Sequence, residues 1–169
     1  MWNNTEIPLA YLITFRCYGT WLHGDERGSI NRFNNQYRSP YLPANEKWRQ
    51  YNEDKLVCKP VVLEATNRSS IEAAVRETCS FRKWDIYALN IRTNHVHIVV
   101  CIGAKAPDLA LNALKANATR QMKQDGLWFL KRSPWADKGS KRHLWNERSV
   151  ERAVDYVLNG QGDDLPEFD

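Results

Sequence analysis

Apolar and polar positions alternate, recur and lapse along this chain in a way that predicts four strands and three helices. Ala10 to Tyr18, AYLITFRCY, mixes apolar, aromatic and β-branched residues and stops at Gly19, which predicts a first strand buried on at least one face. From Thr20 to about Lys59 periodicity lapses: the stretch is polar, carries Asn34, Asn35, Pro40 and Pro43, and offers only a short helix around Glu46 to Tyr51. So long a loop is unusual inside a compact domain, so an ordered insertion is expected. Ser69 or Ser70 then caps a helix in which Ile71, Ala74, Val75 and Thr78 recur at helical spacing as far as about Lys83. WDIYALNIRTNHVHIVVCIG reads as two strands around a tight Arg92-Thr93-Asn94 turn. A helix from about Asp108 uses Leu109, Leu111, Leu114, Ala118 and Met122 as apolar positions and ends at Gly126. Leu127 to Leu130 suggests the fourth strand, followed by a basic loop, RSPWADKGSKRH, and a last helix from Asn146 or Ser149 to Asn159. This order predicts an α+β sandwich with helices on one sheet face. The length of 169 residues suits a single domain over 1–169 with an insertion at about 20–60.

Within NHVHIVV, His95 and His97 are two apart, and residues i and i+2 of a strand share a face. Val96, Ile98, Val100 and Ile102 form an apolar row on the other face, so the strand has one packing side and one chemical side. Two adjacent imidazoles can each offer a nitrogen to a divalent ion and leave room for a third protein ligand and a substrate oxygen. A His-x-His pair also arises in strands by chance, so the pair alone is weak.

In VERAVDYVL, Val150, Ala153, Val154, Val157 and Leu158 fall at i, i+3, i+4, i+7 and i+8 and make one apolar stripe. Tyr156 lies about 120° from the centre of that stripe at roughly 100° per residue. The helix's own core contact therefore does not explain a tyrosine there.

The pattern NHVHIVV closely resembles the histidine, hydrophobic, histidine signature of the HUH endonucleases, and specifically of single-tyrosine transposases, including the REP-associated tyrosine transposases. The resemblance extends in order through YLITFRCYGTWL, SSIEAAVRETC, ALNALKANATRQM and LWNERSVERAVDYVLNGQG, and covers most of the chain outside the insertion. It implies a ferredoxin-like fold, a homodimer, and cleavage and rejoining of single-stranded DNA beside hairpins. It also implies that Tyr156 is the nucleophile, giving a 5′-phosphotyrosine and a free 3′-hydroxyl. A phenol, with an ordinary pKa of about 10, needs help to attack at neutral pH but is a competent leaving group for the reverse step. The family completes its metal site with a polar side chain about one turn beyond the tyrosine. Here that position is Gly160, so the candidates for the third ligand beside His95 and His97 are Gln161 and, alternatively, Asn159. The Asn-Pro pair common after the tyrosine in the REP-associated relatives is absent. Imidazole and oxygen ligands suit Mg²⁺ or Mn²⁺, and no cysteine near the pair points to zinc.

Charge adds a partner. The net charge of +4 permits a polyanion, and the excess is concentrated between Lys131 and Arg152. Lys131, Arg132, Lys138, Lys141 and Arg142 interleave with Trp135 and Trp145, as single-strand recognition requires, and Arg120, with Lys115 and Lys123, extends the basic surface. The tryptophans can equally belong to the core, as is expected for Trp84, Tyr87 and Trp128. His23 with Asp25 and Glu26 could join a site, although a loop histidine is more often a hydrogen-bonding residue, and His143 fits a phosphate contact or mere solvation. Hydrophobic residues at 43% and charged residues at 26% exclude a disordered or fibrous chain. Four widely spaced cysteines read as reduced thiols, and no leader or spanning stretch is visible, which makes the cytoplasm the expected compartment. Three rivals follow from the same residues: a repeat-cutting nuclease with the same chemistry, a hairpin-binding module that no longer cuts, and a phosphodiesterase that activates water and needs the histidines but not the tyrosine.

Overall fold

A computed structural model describes residues 7–20, 59–162 and 165. The expected short helix at 46–51, His23, Asp25, Glu26 and Cys58 lie outside the described residues. Strands β1 (Ala10–Arg16), β2 (Asp85–Ile91), β3 (His95–Cys101) and β4 (Ser140–Leu144) form one antiparallel sheet in the order β2-β3-β1-β4. The helices of the described residues are α1 (Ala65–Arg82), α2 (Pro107–Gln124) and α3 (Glu147–Asn159). The β-α-β-β-α-β order with β1 and β3 at the centre is the ferredoxin-like arrangement. Among the described residues no helix is long and apolar enough to cross a membrane.

Strand alternation divides the core in two. Tyr11, Ile13, Phe15 and Cys17 of the first strand and its end, with Val96, Ile98, Val100 and Ile102 around β3, face Ile71, Val75, Leu114 and Met122 of α1 and α2. Ala10, Leu12, Ala88, Val99 and Leu144 face the other way and pack on Ala153 and Val157 of α3. The expected helical layer is thus α1 and α2, while the C-terminal helix covers the opposite face. Cys17 and Cys79 are buried thiols and Cys101 is half-buried; burial pushes the first two up to about 12 and about 11.

Three expectations are corrected. Leu127 to Leu130 is not a strand: Leu127 and Trp128 pack on the main core, whereas Phe129 and Leu130 are exposed. The fourth strand lies in the basic stretch, at Ser140–Leu144, where only Leu144 is buried. An edge strand with charged side chains carries no hydrophobic alternation to detect, and such charges protect an open edge from unwanted pairing. The first helix starts at Ala65, before Ser69. Glu64 and Asn67 exchange capping-box bonds there, and the Ser70 hydroxyl instead donates to Asp125 Oδ2 at 2.7 Å. Tyr87 is exposed rather than in the core, because the β2–β3 register shifts between Ile86 and Ala88 and leaves Tyr87 as the extra residue of a bulge.

Candidate active site

β3 follows the Arg92-Thr93-Asn94 turn with His95, His97 and Val99 on the α3 face. The imidazoles lie edge to face with centroids 4.6 Å apart. Each Nδ1 is engaged by a neighbour: His95 Nδ1 is 2.6 Å from Asn94 Oδ1, and His97 Nδ1 is 2.7 Å from the Thr14 hydroxyl. Thr14 reaches His97 because the two are register partners across β1 and β3. His95 Nε2 is turned to Gln161 Oε1 at 3.4 Å. His97 is only 3% exposed. Burial, with the neighbouring His95 and Arg92 and against the Gln161 contact, draws its pKa down to about 4, so the ring is neutral at pH 7.

α3 brings the tyrosine to this pair. Asn146 caps the helix by accepting from Ser149 N–H at 2.8 Å, and Ala153 and Val157, flanked by Val150 and Val154, fill the core beneath the sheet. The stripe is narrower than expected, since Leu158 is exposed. Near its end, α3 is tied to the sheet by Asn90, whose Nδ2 donates to the Val157 carbonyl at 2.8 Å. Asn90 is the β2 register partner of His97, so one rung of the sheet holds both the histidine and the helix. The Tyr156 ring lies 5.4 Å from the His97 ring, centroid to centroid, and is 46% exposed.

The two candidates for the third ligand part company. Asn159 Nδ2 donates to Asp155 Oδ1 at 2.8 Å on the exposed side of the helix. Gln161 folds back: its Nε2 donates to the Tyr156 carbonyl at 3.0 Å, and its Oε1 faces His95. His95, His97 and Gln161 thus bring two imidazoles and an amide oxygen together, a donor set that suits a divalent ion when the imidazoles are unprotonated. Among the described residues there is no cluster of three or more His, Cys, Asp or Glu side chains.

Of the basic residues, Arg92 acts on His97, and Arg142, the register partner of Leu12, lies on the same sheet face as the histidines. Lys131 and Arg132 line an open cavity of about 360 Å³ with Asn112, Lys115, Thr119 and Trp135, on the α2 side of the sheet. The Arg132 guanidinium stacks on Tyr18 at 3.4 Å. Lys141 pairs with Asp108, and Arg142, Lys138 and Arg120 are exposed. Trp135 is buried, its indole N–H shared between the Lys115 carbonyl and the Thr119 hydroxyl, whereas Trp145 is half-exposed and stacks on His143. His143 stands exposed on β4 between Trp145 and Tyr11. Thr14, Asn90 and Asn94 are neighbours of the candidate site that the sequence did not single out. Only Asn94, adjacent to His95, left a signal in the sequence, because the other two act through strand register.

The family model described as "Transposase IS200 like" matches residues 58–155, which include the histidine pair and stop one residue short of Tyr156. A comparison with curated proteins finds no match. Among solved structures, the chain is similar to a REP-associated tyrosine transposase bound to a REP hairpin, at 12% identity and a TM-score of 0.49, over 93% of this chain and 69% of that one. It is also similar to a protein from Deinococcus radiodurans R1 described as a candidate transposase, at 14% identity and a TM-score of 0.45, over 96% of this chain and 98% of that one.

Proposed function

The chain belongs to the IS200-like transposase family, and we propose that it cleaves and rejoins single-stranded DNA next to hairpins through a covalent bond to Tyr156. The observation that carries this reading is the convergence of His95, His97, Gln161 and Tyr156 on one sheet face within a single chain. Tyr156 Oη attacks the scissile phosphorus and the P–O3′ bond breaks. The phosphate stays joined to the 5′ side and to the tyrosine, and the departing 3′ oxygen takes up a proton. The half-exposed position of Tyr156 lets solvent accept the phenol proton. In the reverse step a 3′-hydroxyl attacks and the phenol leaves, so rejoining needs no outside energy source.

His95, His97 and Gln161 would hold Mg²⁺ or Mn²⁺. When bound, such an ion supplies electrostatic stabilisation to the non-bridging phosphate oxygens. Thr14 and Asn94 fix the imidazole orientations, and Asn90 fixes the tyrosine helix relative to them. The exposed cations Lys131, Lys138, Arg142 and Arg120, with Arg132 and Lys141, would track the DNA backbone. A homodimer forms part of this reading, with each chain carrying a complete set of side chains.

The test is incubation of the protein with labelled hairpin oligonucleotides and Mn²⁺, resolved on a denaturing gel beside Tyr156→Phe and His95→Ala. A protein-linked DNA band in the wild type alone is expected. Cleavage that persists in Tyr156→Phe without an adduct would replace the tyrosine by activated water, and metal-independent binding without cleavage in any variant would leave a binding module.

A further inference from the structure

We infer that Gly160 is a positioning residue: its missing Cβ lets the chain fold back under Tyr156, so that the Tyr156 carbonyl clamps the Gln161 amide with its oxygen toward the histidines. The inference rests on the reading that His95, His97 and Gln161 hold the cation, and it assigns the clamp that sets the third donor.

The Tyr156 carbonyl accepts twice. The Gly160 N–H donates to it at 3.0 Å, as the last helical bond, and Gln161 Nε2 donates at 3.0 Å. A carbonyl oxygen has two lone pairs, so both bonds can form. Because an amide has its donor and acceptor on opposite arms, engaging Nε2 with a carbonyl dictates that Oε1 points away, here to His95 Nε2. The reversed amide would set Oε1 against the Tyr156 carbonyl oxygen. The same group that carries the proposed nucleophile thus orients the proposed ligand.

Space at position 160 makes this possible. A Cβ there would lie 2.7 Å from the Tyr156 carbonyl oxygen and 3.2 Å from its ring Cδ2. The Gly160 backbone, at φ −96° and ψ 9°, is open to any residue, so the requirement is room rather than conformational freedom. A side chain at 160 must push back the clamp's acceptor, the Tyr156 ring, or both. This also accounts for the departure from the one-turn spacing: with a glycine at i+4, the amide at i+5 returns to the site.

Mn²⁺ binding, followed by electron paramagnetic resonance without DNA, and single-turnover cleavage of a hairpin oligonucleotide are measured for Gly160→Ala, Gln161→Ala and the double variant. Gly160→Ala is expected to bind Mn²⁺ about tenfold more weakly and to cleave at least as many times more slowly, with hairpin affinity unchanged. The double variant is expected to match Gln161→Ala, because Gly160 acts through Gln161. Wild-type Mn²⁺ affinity in Gly160→Ala, or additive losses in the double variant, would overturn the inference. If Gly160→Ala does not fold, the wild type supplies the test through its Gln161 side-chain amide in a ¹⁵N–¹H spectrum. One exchange-protected proton, absent from Gln161→Ala, supports the clamp; two freely exchanging protons overturn it. A wild type that binds no Mn²⁺ and shows no metal-dependent cleavage overturns the functional reading itself, and the inference with it.

Discussion

Replacing Thr14 by valine removes one oxygen, keeps the branched shape and isolates the bond to His97. Thr14 Oγ1 is 2.7 Å from Nδ1 of a ring that is 3% exposed. Water has little access to take its place, so the variant leaves a buried ring nitrogen unpaired, which costs about 1–3 kcal/mol. For a chain of this size a loss of about 2 kcal/mol lowers the urea midpoint by roughly 1 M. The chemistry should fall further than stability alone explains, since partners that orient a ligating imidazole typically contribute about 10–100-fold in metal affinity or activity. The assay pairs urea unfolding with single-turnover cleavage at saturating Mn²⁺, in Thr14→Val and in Thr14→Ser, which restores the hydroxyl and should recover both. An unchanged midpoint together with an unchanged rate refutes the reasoning. Lost stability with wild-type cleavage would confine Thr14 to holding the fold.

Two further outcomes are expected. Since burial draws the His97 pKa from 6.5 down to about 4, the unfolded chain binds the extra proton between those values. Stability from this group is therefore full above about pH 6.5 and is lost progressively as pH falls toward 4, by an amount on the order of 3 kcal/mol; unfolding curves over pH 4.5–7 should show this slope in the wild type and lose it in His97→Asn. Asn90→Ala removes the donor to the Val157 carbonyl and is expected to destabilise the protein by about 1 kcal/mol and slow cleavage without weakening hairpin binding. Equal losses in rate and in DNA affinity would count against a role confined to placing the tyrosine helix.

The histidine pair was legible because a period of two fixes which side chains share a face, whatever the sheet around them. The Tyr156 position was legible because the apolar stripe of α3 leaves it unexplained, although the stripe itself was read one residue too wide at Leu158. Tertiary register stayed hidden: nothing local says that Thr14 stands opposite His97, or that Asn90 stands on the same rung and reaches Val157. β4 was misplaced because a strand paired on one side only can be almost wholly polar, while Leu127 to Leu130 looked like a strand but spends its apolar side chains partly on the core and partly on solvent. The different placements of Gln161 and Asn159 depend on a backbone carbonyl and on the room above a glycine, neither of which has a sequence pattern.

The charged edge strand makes charge-removal experiments ambiguous. Among the described residues β4 pairs with β1 alone, and cations on such an edge discourage pairing with another strand. Lys141 is already matched by Asp108, which leaves exposed Arg142 as the principal guard. Neutralising Arg142 to probe a phosphate contact would therefore lower the barrier to sheet-to-sheet self-association at the same time. Weaker DNA binding by such a variant identifies a lost contact only when sedimentation finds the same particle size before and after the substitution.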